Sequence, residues 1–438
     1  VNYIENKLYS NTEHGLHLES SDSCNITENL CYSNTRDGIY LSNSLLNSLT
    51  HNECYLNNYN GIYVLSGSFN TLENNYLHNN NRDGIKITSS TSNTIANNTL
   101  YNNDWYGISN YATSTSILDN NATKDGFGIF LSSQGAYDGL SVGGNTVNGK
   151  PLGYINGLGE ATLAPNVYGQ LILAFCNGTT VKDETIADTS IALIMVGCEN
   201  ITVDNCNFDN NNFGSIRLVN SMKTTIQNTK CSYNEEYGGI YSTGTPTNTS
   251  IYNVTANNNQ FGIFLMGATV FNVSHCTVMS NFWYNTRFQG CVAGNIRYNV
   301  ITNSAAVGML LYGCDYTNIS YNCFEDNLGY AIYSDDDSWY NWIHHNAFIS
   351  NNLGGTSQAF DDSLFNMWDD PWNMEGNYWD DWVSGNYTID GIGQANDSYP
   401  LGDVPPGVII YEFNQFSLLI FLLPVVFVSM VIIRKRKR

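Results

Sequence analysis

The side chains best suited to chemistry lie in the last quarter of the sequence. Three consecutive aspartates, Asp335, Asp336 and Asp337, stand next to Trp339 and Trp342. Carboxylates that share one flank of a protein can coordinate calcium, and Asp335 and Asp337 are the candidate ligands. The flat indole faces beside them could stack on sugar rings. These residues therefore predict a carbohydrate site, with calcium as a candidate cofactor.

A second group of tryptophans and paired aspartates follows, and it has two interpretations. Trp368 and Trp372 join the candidate carbohydrate-binding residues, and acidic pairs continue as far as Asp381. The alternative is structural, because the rings could form the core of a C-terminal cap and Asp beside Asn favours turns. The sequence leaves both interpretations open.

Cleavage of a polysaccharide would need a catalytic set. A lyase requires a base, and Arg217, Arg287 and Arg297 are of the right type, but none shares a repeat column with an acidic cluster. A hydrolase requires carboxylates that converge on a groove, about 5 to 9.5 Å apart. We therefore assign no catalytic residue, and an enzyme remains the alternative to a binding protein.

Histidine and cysteine do not form an evident metal site. His344 and His345 are adjacent, so on a strand they are expected to face opposite ways. The chain has 11 cysteines, mostly in columns that favour small buried residues. Two pairs one coil apart lie within reach of a disulfide. These pairs are Cys31–Cys54 and Cys291–Cys314.

A 23-residue repeat positions all of these residues. Glycine recurs at this spacing from Gly15 to Gly107, and an alternation such as Ile39 and Leu41 follows each glycine, which is typical of a short strand with one buried face. Such a period indicates a solenoid, since a propeller blade needs about 40 residues or more. We predict an all-β parallel β-helix with three short strands per coil, stacked about 4.8 Å apart.

One column of the repeat is asparagine. Stacked at an inward turn, each side-chain amide can bond to the next, which explains a polar residue where an unpaired group would be costly. An apolar column that includes Ile95 and Leu118 follows the same period. The predicted ladder consists of Asn6, Asn29, Asn52, Asn75, Asn98, Asn121, Asn299, Asn322 and Asn346.

The repeat divides the chain into segments. Tyr3 and Asn6 already occupy repeat columns, so we expect the chain to begin inside a coil, with an N-terminal cap and export signal missing. The predicted segments are coils at 1–133, an irregular insertion at 134–169, coils at 170–352, a C-terminal cap at 353–402, a linker at 403–412, a transmembrane helix at 413–433 and a basic cytoplasmic tail at 434–438.

Charge and hydropathy suggest where the protein works. The net charge of −22 disfavours nucleic acid as a partner. Residues 416–433 are apolar and uncharged and precede five basic residues, which predicts a single membrane span with the solenoid outside the cell. A buried core helix is the alternative for this segment. Eleven Asn-x-Ser/Thr sequons would permit glycosylation of an exported chain.

The coils and two local motifs resemble a known family. The repeated GIxL and NTIxNN stretches resemble right-handed parallel β-helix repeats of NosD-like and pectate-lyase-like proteins. VNGKPLGYING at 147–157 resembles the insertion between coil blocks of NosD-like proteins, and GNYWDDW with DGIG and DSYPL, at 376–401, resembles the closure of surface members. The resemblance implies a right-handed β-helix on the cell surface, and carbohydrate binding or cleavage is the commonest activity of the superfamily.

Together these observations predict a membrane-anchored surface β-helix. Its expected role is binding or scaffolding toward a polysaccharide or surface glycan. A polysaccharide lyase or glycoside hydrolase is the second hypothesis. The family resemblance adds a third, maturation of a copper protein, which would need a cluster of His, Cys and Met that we do not find in the sequence.

Overall fold

The computed structural model describes residues 1–410, which form two stacked blocks of parallel β-helix coils. The N-terminal block has three sheets. Sheet 1 contains Asn2–Ile4, Asn25–Thr27, Ser48–Thr50, Thr71–Glu73, Thr94–Ala96, Ser116–Leu118 and Ser141–Gly143. Sheet 2 contains Lys7–Tyr9, Leu30–Tyr32, Glu53–Tyr55, Tyr76–His78, Thr99–Tyr101, Asn121–Thr123 and Thr146–Val147. Sheet 3 contains Leu16–Glu19, Ile39–Ser42, Ile62–Leu65, Ile85–Thr91, Ile108–Thr113 and Phe127–Ile129.

The C-terminal block has three further sheets. Sheet 4 contains Lys150–Asn156, Gln170–Ala174, Ile191–Val196, Gly214–Val219, Gly238–Thr243, Phe261–Met266, Tyr284–Gln289, Val307–Tyr312, Ile332–Ser334 and Ala359–Asp361. Sheet 5 contains Ala161–Thr162, Thr179–Lys182, Thr202–Asp204, Thr225–Gln227, Thr247–Tyr252, Thr269–Ser274, Val292–Arg297, Asn318–Ser320 and Trp342–His344. Sheet 6 contains Thr277–Met279, Val300–Thr302, Cys323–Glu325, Ala347–Ile349 and Tyr378–Trp379.

The core consists of apolar columns that take one residue from each coil. In sheet 1, Ile26, Leu49, Leu72 and Ile95 pair in register and are fully buried. In the C-terminal block an equivalent column pairs in register from Val203 to Ile343. Because each strand is only three to six residues long in most coils, the stacking of like side chains, more than any one strand, holds the solenoid together.

One coil of the N-terminal block is a residue shorter than the repeat predicts. The strands Ile85–Thr91 and Ile108–Thr113 pair with an offset of 23 residues at their start and 22 at their end, because the register shifts between them. Beyond this irregularity Ile95 pairs with Ile117. Leu118 is therefore not a member of the inward column, contrary to the expectation from the repeat.

The same shift corrects the asparagine ladder. The Nδ2 of Asn98 donates to the Oδ1 of Asn120 at 2.9 Å, and Asn120 continues the ladder to Asn145. The prediction of Asn121 as a ladder residue is wrong, since Asn121 is exposed and its Oδ1 accepts a hydrogen bond from Thr146 instead.

The remaining ladder predictions are confirmed. In the N-terminal block each Nδ2 donates to the next Oδ1 at 2.9 to 3.0 Å, through Asn6, Asn29, Asn52, Asn75 and Asn98. In the C-terminal block the bonds run through Asn299, Asn322 and Asn346, and continue to Asn377. A parallel ladder that the sequence analysis missed passes through Asn11, Asn34, Asn57, Asn80 and Asn103 and ends on Asp125.

A tight hairpin joins the two blocks. Thr146–Val147 pairs antiparallel with Lys150–Asn156, and the two turn residues, Asn148 and Gly149, both have positive φ, at 51° and 77°. The segment 134–169, which we expected to be an irregular insertion, contains the helix Gln134–Asp138, the last strands of sheets 1 and 2, and the first strands of sheets 4 and 5.

The C-terminal coils end on a cluster of aromatic residues. Trp379 is buried and stacked between Phe348 at 4.1 Å and Tyr387 at 3.9 Å. The short antiparallel pair Tyr387–Thr388 and Asn396–Asp397 closes the cap. In residues 1–410 no helix is long and apolar enough to cross a membrane. The predicted span at 413–433 and the tail at 434–438 lie outside the described residues, as do the last two residues of the 403–412 linker.

All 11 cysteines are buried and free. Cys31 and Cys54 lie side by side in neighbouring strands of sheet 2, yet the structure shows no disulfide between them. The same is true of Cys291 and Cys314. The thiols therefore act as small apolar core residues, which is the simpler of the two interpretations that the sequence allows.

Candidate functional site

The acidic turn that the sequence singled out is largely structural. Asp335 is buried, and its Oδ1 accepts hydrogen bonds from the backbone N–H of Gly313 at 3.0 Å and from the Ser338 hydroxyl at 2.6 Å. Asp336 and Asp337 are exposed. Asp335 thus fixes the turn between sheets 4 and 5, and its carboxylate is already engaged.

The described residues offer no calcium ligand set. Throughout 1–410 there is no group of three or more His, Cys, Asp or Glu side chains arranged to hold a metal ion. Asp335 and Asp337, the predicted calcium ligands, would supply at most two carboxylates, and that of Asp335 is committed to the turn.

The four candidate tryptophans differ in their exposure to solvent and in their contacts. Trp368 is 1% exposed and its Nε1–H donates to Asp361 at 2.7 Å, so its predicted role in sugar binding is wrong and it belongs to the cap core. Trp339 and Trp372 are 43% and 73% exposed. Trp342 packs edge-on against Trp372 with ring centroids 5.7 Å apart.

The outer face of sheet 4 carries a more extended candidate site. One outward column contributes a large side chain from each of seven successive coils. We call this column the stripe. It consists of Arg217, Tyr241, Phe264, Arg287, Leu310, Tyr333 and Phe360. Consecutive members lie about 4.8 Å apart, as strands of one sheet do. Phe264 is buried and the other six members are half-buried, so the stripe presents part of each of these six side chains to solvent.

The stripe continues across the junction onto the N-terminal block. The Arg217 guanidinium lies 4.2 Å from the ring centroid of Phe130, and Phe130 packs on Tyr111 at 5.2 Å. The Lys86 ammonium is 5.9 Å from the Tyr111 ring and 5.8 Å from the Tyr63 ring. A chain of ring and cation contacts therefore connects sheet 3 with sheet 4.

The two arginines of the stripe have no carboxylate partner. No ion pair among residues 1–410 involves Arg217 or Arg287, and the Nε of each is buried without a hydrogen-bond acceptor. Arg287 instead lies over the ring of Phe264 at 4.6 Å and donates to Gln289 at 2.7 Å. Two guanidinium groups without a carboxylate partner thus lie on one face of a chain whose net charge is −22.

A buried carboxyl lies beneath the junction end of this surface. Asp83 is 1% exposed, and its Oδ2 is 3.9 Å from the Lys86 ammonium. Burial raises the pKa of Asp83 from 3.8 to about 6, and the positive charge of Lys86 only partly offsets this. Burial also raises the pKa of the nearby Tyr106 phenol above its usual range.

Acidic residues surround the far end of the stripe. Burial raises the pKa of Tyr333, and the carboxylates of Asp362, Asp335 and Asp336 raise it further. The Tyr330 hydroxyl donates to Asp390 at 3.2 Å. The structure thus brings the predicted acidic turn to the end of the stripe, which is cationic at the junction and anionic at the cap.

Sequence reasoning named Arg217 and Arg287 only by residue type. The sequence does contain a pattern that could have identified the stripe, since its positions recur at almost constant spacing. These positions are 217, 241, 264, 287, 310 and 333. An inward column is recognisable since its residues are uniformly apolar, whereas this one mixes cations with aromatic rings. Arg297 lies on sheet 5, exposed and away from the stripe.

The side chains of His344 and His345 do not point in opposite directions, as the sequence predicted. His344 ends the strand Trp342–His344, and His345 has a positive φ of 55°, so the chain turns between them. The two ring planes lie at 81° to each other with their Nδ1 atoms 2.6 Å apart, instead of pointing to opposite faces. Burial and the neighbouring His345 lower the pKa of His344 to about 4.

Fold and columns together define a parallel β-helix protein, and the family models agree. A model of the right-handed β-helix region matches residues 1–147 and 162–295, and a model of the periplasmic copper-binding protein NosD matches residues 288–384. Since the first match covers more than half of the sequence, the chain belongs to the right-handed β-helix family. The resemblance predicted from the sequence is confirmed. No curated protein matches the chain.

Several solved structures are similar over most of the chain. The A-module of a mannuronan C-5 epimerase from Azotobacter vinelandii is 12% identical with a TM-score of 0.32, covering 75% of this chain and 85% of that one. A PL6 family polysaccharide lyase from Pseudopedobacter saltans is 11% identical, with a TM-score of 0.26 and coverages of 91% and 94%. The Streptococcus pneumoniae surface adhesin PfbA is 11% identical with a TM-score of 0.27, and the match covers 80% of this chain and 82% of that one. At these scores the similarities carry no argument about function.

Proposed function

We propose that the protein binds an extended anionic polysaccharide along the stripe. The observation that carries the proposal is the pair of guanidinium groups without a carboxylate partner, Arg217 and Arg287, set among aromatic rings on one face of an acidic protein. Arginine recognises carboxylate in a bidentate geometry, and aromatic rings offer apolar faces to the flat side of a sugar. A polyuronate presents both features in every repeat.

The dimensions of the surface favour a polymer over a small ligand. Arg217 and Arg287 are three coils apart, which places them about 14 Å from each other at a spacing of about 4.8 Å per coil. The aromatic members continue beyond both arginines, to Tyr333 and Phe360 on one side and to Tyr111 on the other. A chain of several sugars is needed to contact the whole surface.

Electrophoresis of the purified protein through gels that contain polymer would test the proposal. We expect a soluble polyuronate to retard the protein and a neutral glucan to leave it unretarded. Arg217→Gln and Arg287→Gln should each weaken retention about tenfold or more, since a charge-assisted hydrogen bond contributes about 1.5–3 kcal/mol.

Arg297→Gln is the matched control. Arg297 is an exposed arginine of the same block that lies on sheet 5, off the stripe. Its replacement changes the net charge equally and should leave retention unchanged. Equal losses in all three variants would mean that net charge, and not the stripe, governs retention, and the proposal would be wrong.

Display outside the cell is part of the proposal. It is supported by the apolar segment 416–433 with its basic tail, which would anchor the β-helix to the membrane. Protease treatment of intact cells that express the tagged chain tests this. Loss of the β-helix from intact cells is expected, and protection of it until the cells are lysed would contradict display.

Cleavage of the bound polymer is the second candidate function. It is favoured by Asp83 next to Lys86 at the junction and by the acidic residues around Tyr333, since both place carboxyl groups beside the surface. An enzyme would shorten the polymer during incubation, and an Asp83→Asn variant would abolish the shortening. Unchanged polymer length would leave binding as the function.

Maturation of a copper protein, the third hypothesis from the sequence, has less support. The NosD match includes residues 288–384, but the described part of the chain has no His, Cys and acidic cluster of three or more members. We therefore do not propose it as the function.

A further inference from the structure

Lys86 places a positive charge at the N-terminal end of the aromatic surface. It belongs to the strand Ile85–Thr91 of sheet 3, where it alternates with buried residues and is itself half-buried. Its ammonium is 5.8 Å from the ring centroid of Tyr63 in the preceding coil and 5.9 Å from that of Tyr111 in the following coil. Phe130 packs on Tyr111 and connects it to the stripe. A polymer that follows the stripe onto sheet 3 would therefore meet Lys86.

The carboxyl group of Asp83 is the internal partner of this cation. Asp83 is 1% exposed, and its Oδ2 lies 3.9 Å from the Lys86 ammonium, a distance too long for a hydrogen bond. Its Oδ1 is buried and has no hydrogen-bond partner. Since burial penalises the charged form, the pKa of Asp83 is raised from 3.8 to about 6. The side chain beneath Lys86 therefore changes its charge close to neutral pH.

The groups nearest to Asp83 leave Lys86 as the cation most affected by its charge. Arg82, in the same turn, also favours the ionised carboxyl, but less than Lys86 does. In the preceding coil, Asn60 accepts a hydrogen bond from the backbone N–H of Asp83. The Asn60 side chain also donates to Asp37, so a neutral amide separates the two carboxyl groups.

Three titratable groups face Asp83 from the following coils, and burial raises the pKa of each. They are Tyr106, Tyr111 and Asp125. The Tyr106 hydroxyl has another cation beside it, since Arg217 of the stripe donates to it at 3.5 Å. Within residues 1–410, the pair with Asp83 is the one ion pair that Lys86 makes. The availability of Lys86 for a ligand therefore depends on the charge of Asp83.

We propose that Lys86 is a third carboxylate-binding residue for the anionic polysaccharide, and that Asp83 competes with the polymer for its ammonium, so that acidification strengthens binding. The inference rests on the proposed polysaccharide binding and adds to it a residue and a means of control. When Asp83 is ionised, its charge offsets that of Lys86. When Asp83 takes up a proton, the ammonium is uncompensated and free to bind a carboxylate of the polymer.

Polymer binding and protonation are coupled through Lys86. A polymer carboxylate at the ammonium adds a negative charge near Asp83 and draws the ammonium away from it, and both effects raise the pKa of Asp83 further. By linkage, the complex takes up protons as it forms near pH 6, and a lower pH favours the complex.

Calorimetry of the full-length protein with a soluble polyuronate at pH 5 and pH 8 tests the proposal. Carboxyl groups ordinarily titrate near pH ~4, so the polymer is largely ionised at both values. We expect the affinity to be about tenfold tighter at pH 5, which corresponds to a change of about one unit in the pKa of Asp83 on binding. Heats measured near pH 6 in two buffers of different ionisation enthalpy should show net uptake of protons.

Two substitutions separate the roles of the pair. Asp83→Asn keeps the size of the side chain without its charge, and it should bind at pH 8 about as tightly as the wild type does at pH 5. Lys86→Gln should bind at both pH values no more tightly than the wild type does at pH 8. Asp337→Asn is the matched control for Asp83→Asn, because it removes the same charge from an exposed aspartate at the other end of the stripe. It should keep the pH dependence of the wild type.

The outcomes distinguish this inference from the proposed function. Absence of polyuronate binding by the wild type at either pH would overturn both. Equal affinity at pH 5 and pH 8, or a pH dependence that persists in a folded Asp83→Asn variant, would overturn the inference alone, and exposed histidines such as His17 would then explain the persistence. Circular dichroism identifies the folded variants. If Asp83→Asn does not fold, proton uptake by the wild type decides, and its absence would overturn the inference.

Discussion

Asn120 shows how much a single buried amide contributes to the coils. Its Nδ2 donates to the carbonyls of Ile95 and Leu118 and to the Oδ1 of Asn145, at 2.9 to 3.0 Å. Its own Oδ1 accepts from the side chain of Asn98. Asn120→Ala leaves several buried polar groups unpaired, each costing about 1–3 kcal/mol. We expect the free energy of unfolding to fall by at least about 3 kcal/mol in a denaturant titration.

The neighbouring residue is the control for this prediction. Asn121 is exposed and makes one side-chain bond, to Thr146. Asn121→Ala should change the free energy of unfolding by no more than about 0.5 kcal/mol. A larger loss for Asn121→Ala than for Asn120→Ala would contradict the ladder as the structure shows it.

Asp83 predicts a pH dependence of stability. Because its pKa is raised from 3.8 to about 6 in the folded state, the unfolded chain ionises first as the pH increases. Between these values the folded state binds the additional proton, so the free energy of unfolding falls as the pH rises and remains lower above pH 6. The loss should be on the order of 2–3 kcal/mol.

Asp83→Asn should remove this pH dependence. Unfolding of the wild type and the variant would be followed by denaturant titration at several values between pH 4 and pH 7. We expect the difference between them to grow across this window in favour of the variant, whereas replacement of the exposed Asp337 by Asn should leave the pH profile as it is. Parallel profiles for the wild type and Asp83→Asn would show that burial does not shift this carboxyl.

At the scale of elements, the hairpin between the blocks depends on backbone geometry. Gly149 has φ of 77°, and nothing lies within 4 Å of the position of an added Cβ, so only conformation restricts the residue there. A β-branched residue at positive φ costs about 1–2 kcal/mol. We expect Gly149→Val to lower the free energy of unfolding by that amount.

Gly135 provides the comparison for Gly149. An added Cβ at Gly135 also meets nothing within 4 Å, but this glycine lies in the helix Gln134–Asp138 and its φ is not positive. Gly135→Ala should be neutral or stabilise the protein by up to about 1 kcal/mol. If both substitutions have the same effect in a thermal unfolding series, the turn does not require positive φ.

The elements also show what a sequence can reveal about this molecule. The 23-residue repeat predicts the strands and the inward columns because burial restricts those positions to apolar residues or asparagine. It could not predict the shortened coil, since the shift between Ile85–Thr91 and Ile108–Thr113 depends on how the two strands pair. Nor could it show that Trp368 is buried while Trp372 is exposed, because both depend on how the cap folds over the last coil.

At the scale of the whole molecule, function depends on which columns reach the same face. Arg217 of the stripe contacts Phe130 of the N-terminal block, where the hairpin joins the two blocks. Sequence spacing within one block does not predict a contact between blocks. The contact between Arg217 and Phe130 could therefore be recognised only from the structure, whereas the column on sheet 4 follows the repeat spacing.

The central claim is that carboxylate groups of a polymer are recognised by the stripe. Affinity for a polyuronate and for the same polymer after chemical reduction of its carboxyl groups to alcohols tests this directly by calorimetry, at one ionic strength because exposed charges are screened by salt. The account predicts binding of the native polymer at least about tenfold tighter, equivalent to about 1.4 kcal/mol. Equal affinity for both forms would contradict it, since the guanidinium groups of Arg217 and Arg287 would then have no part in recognition.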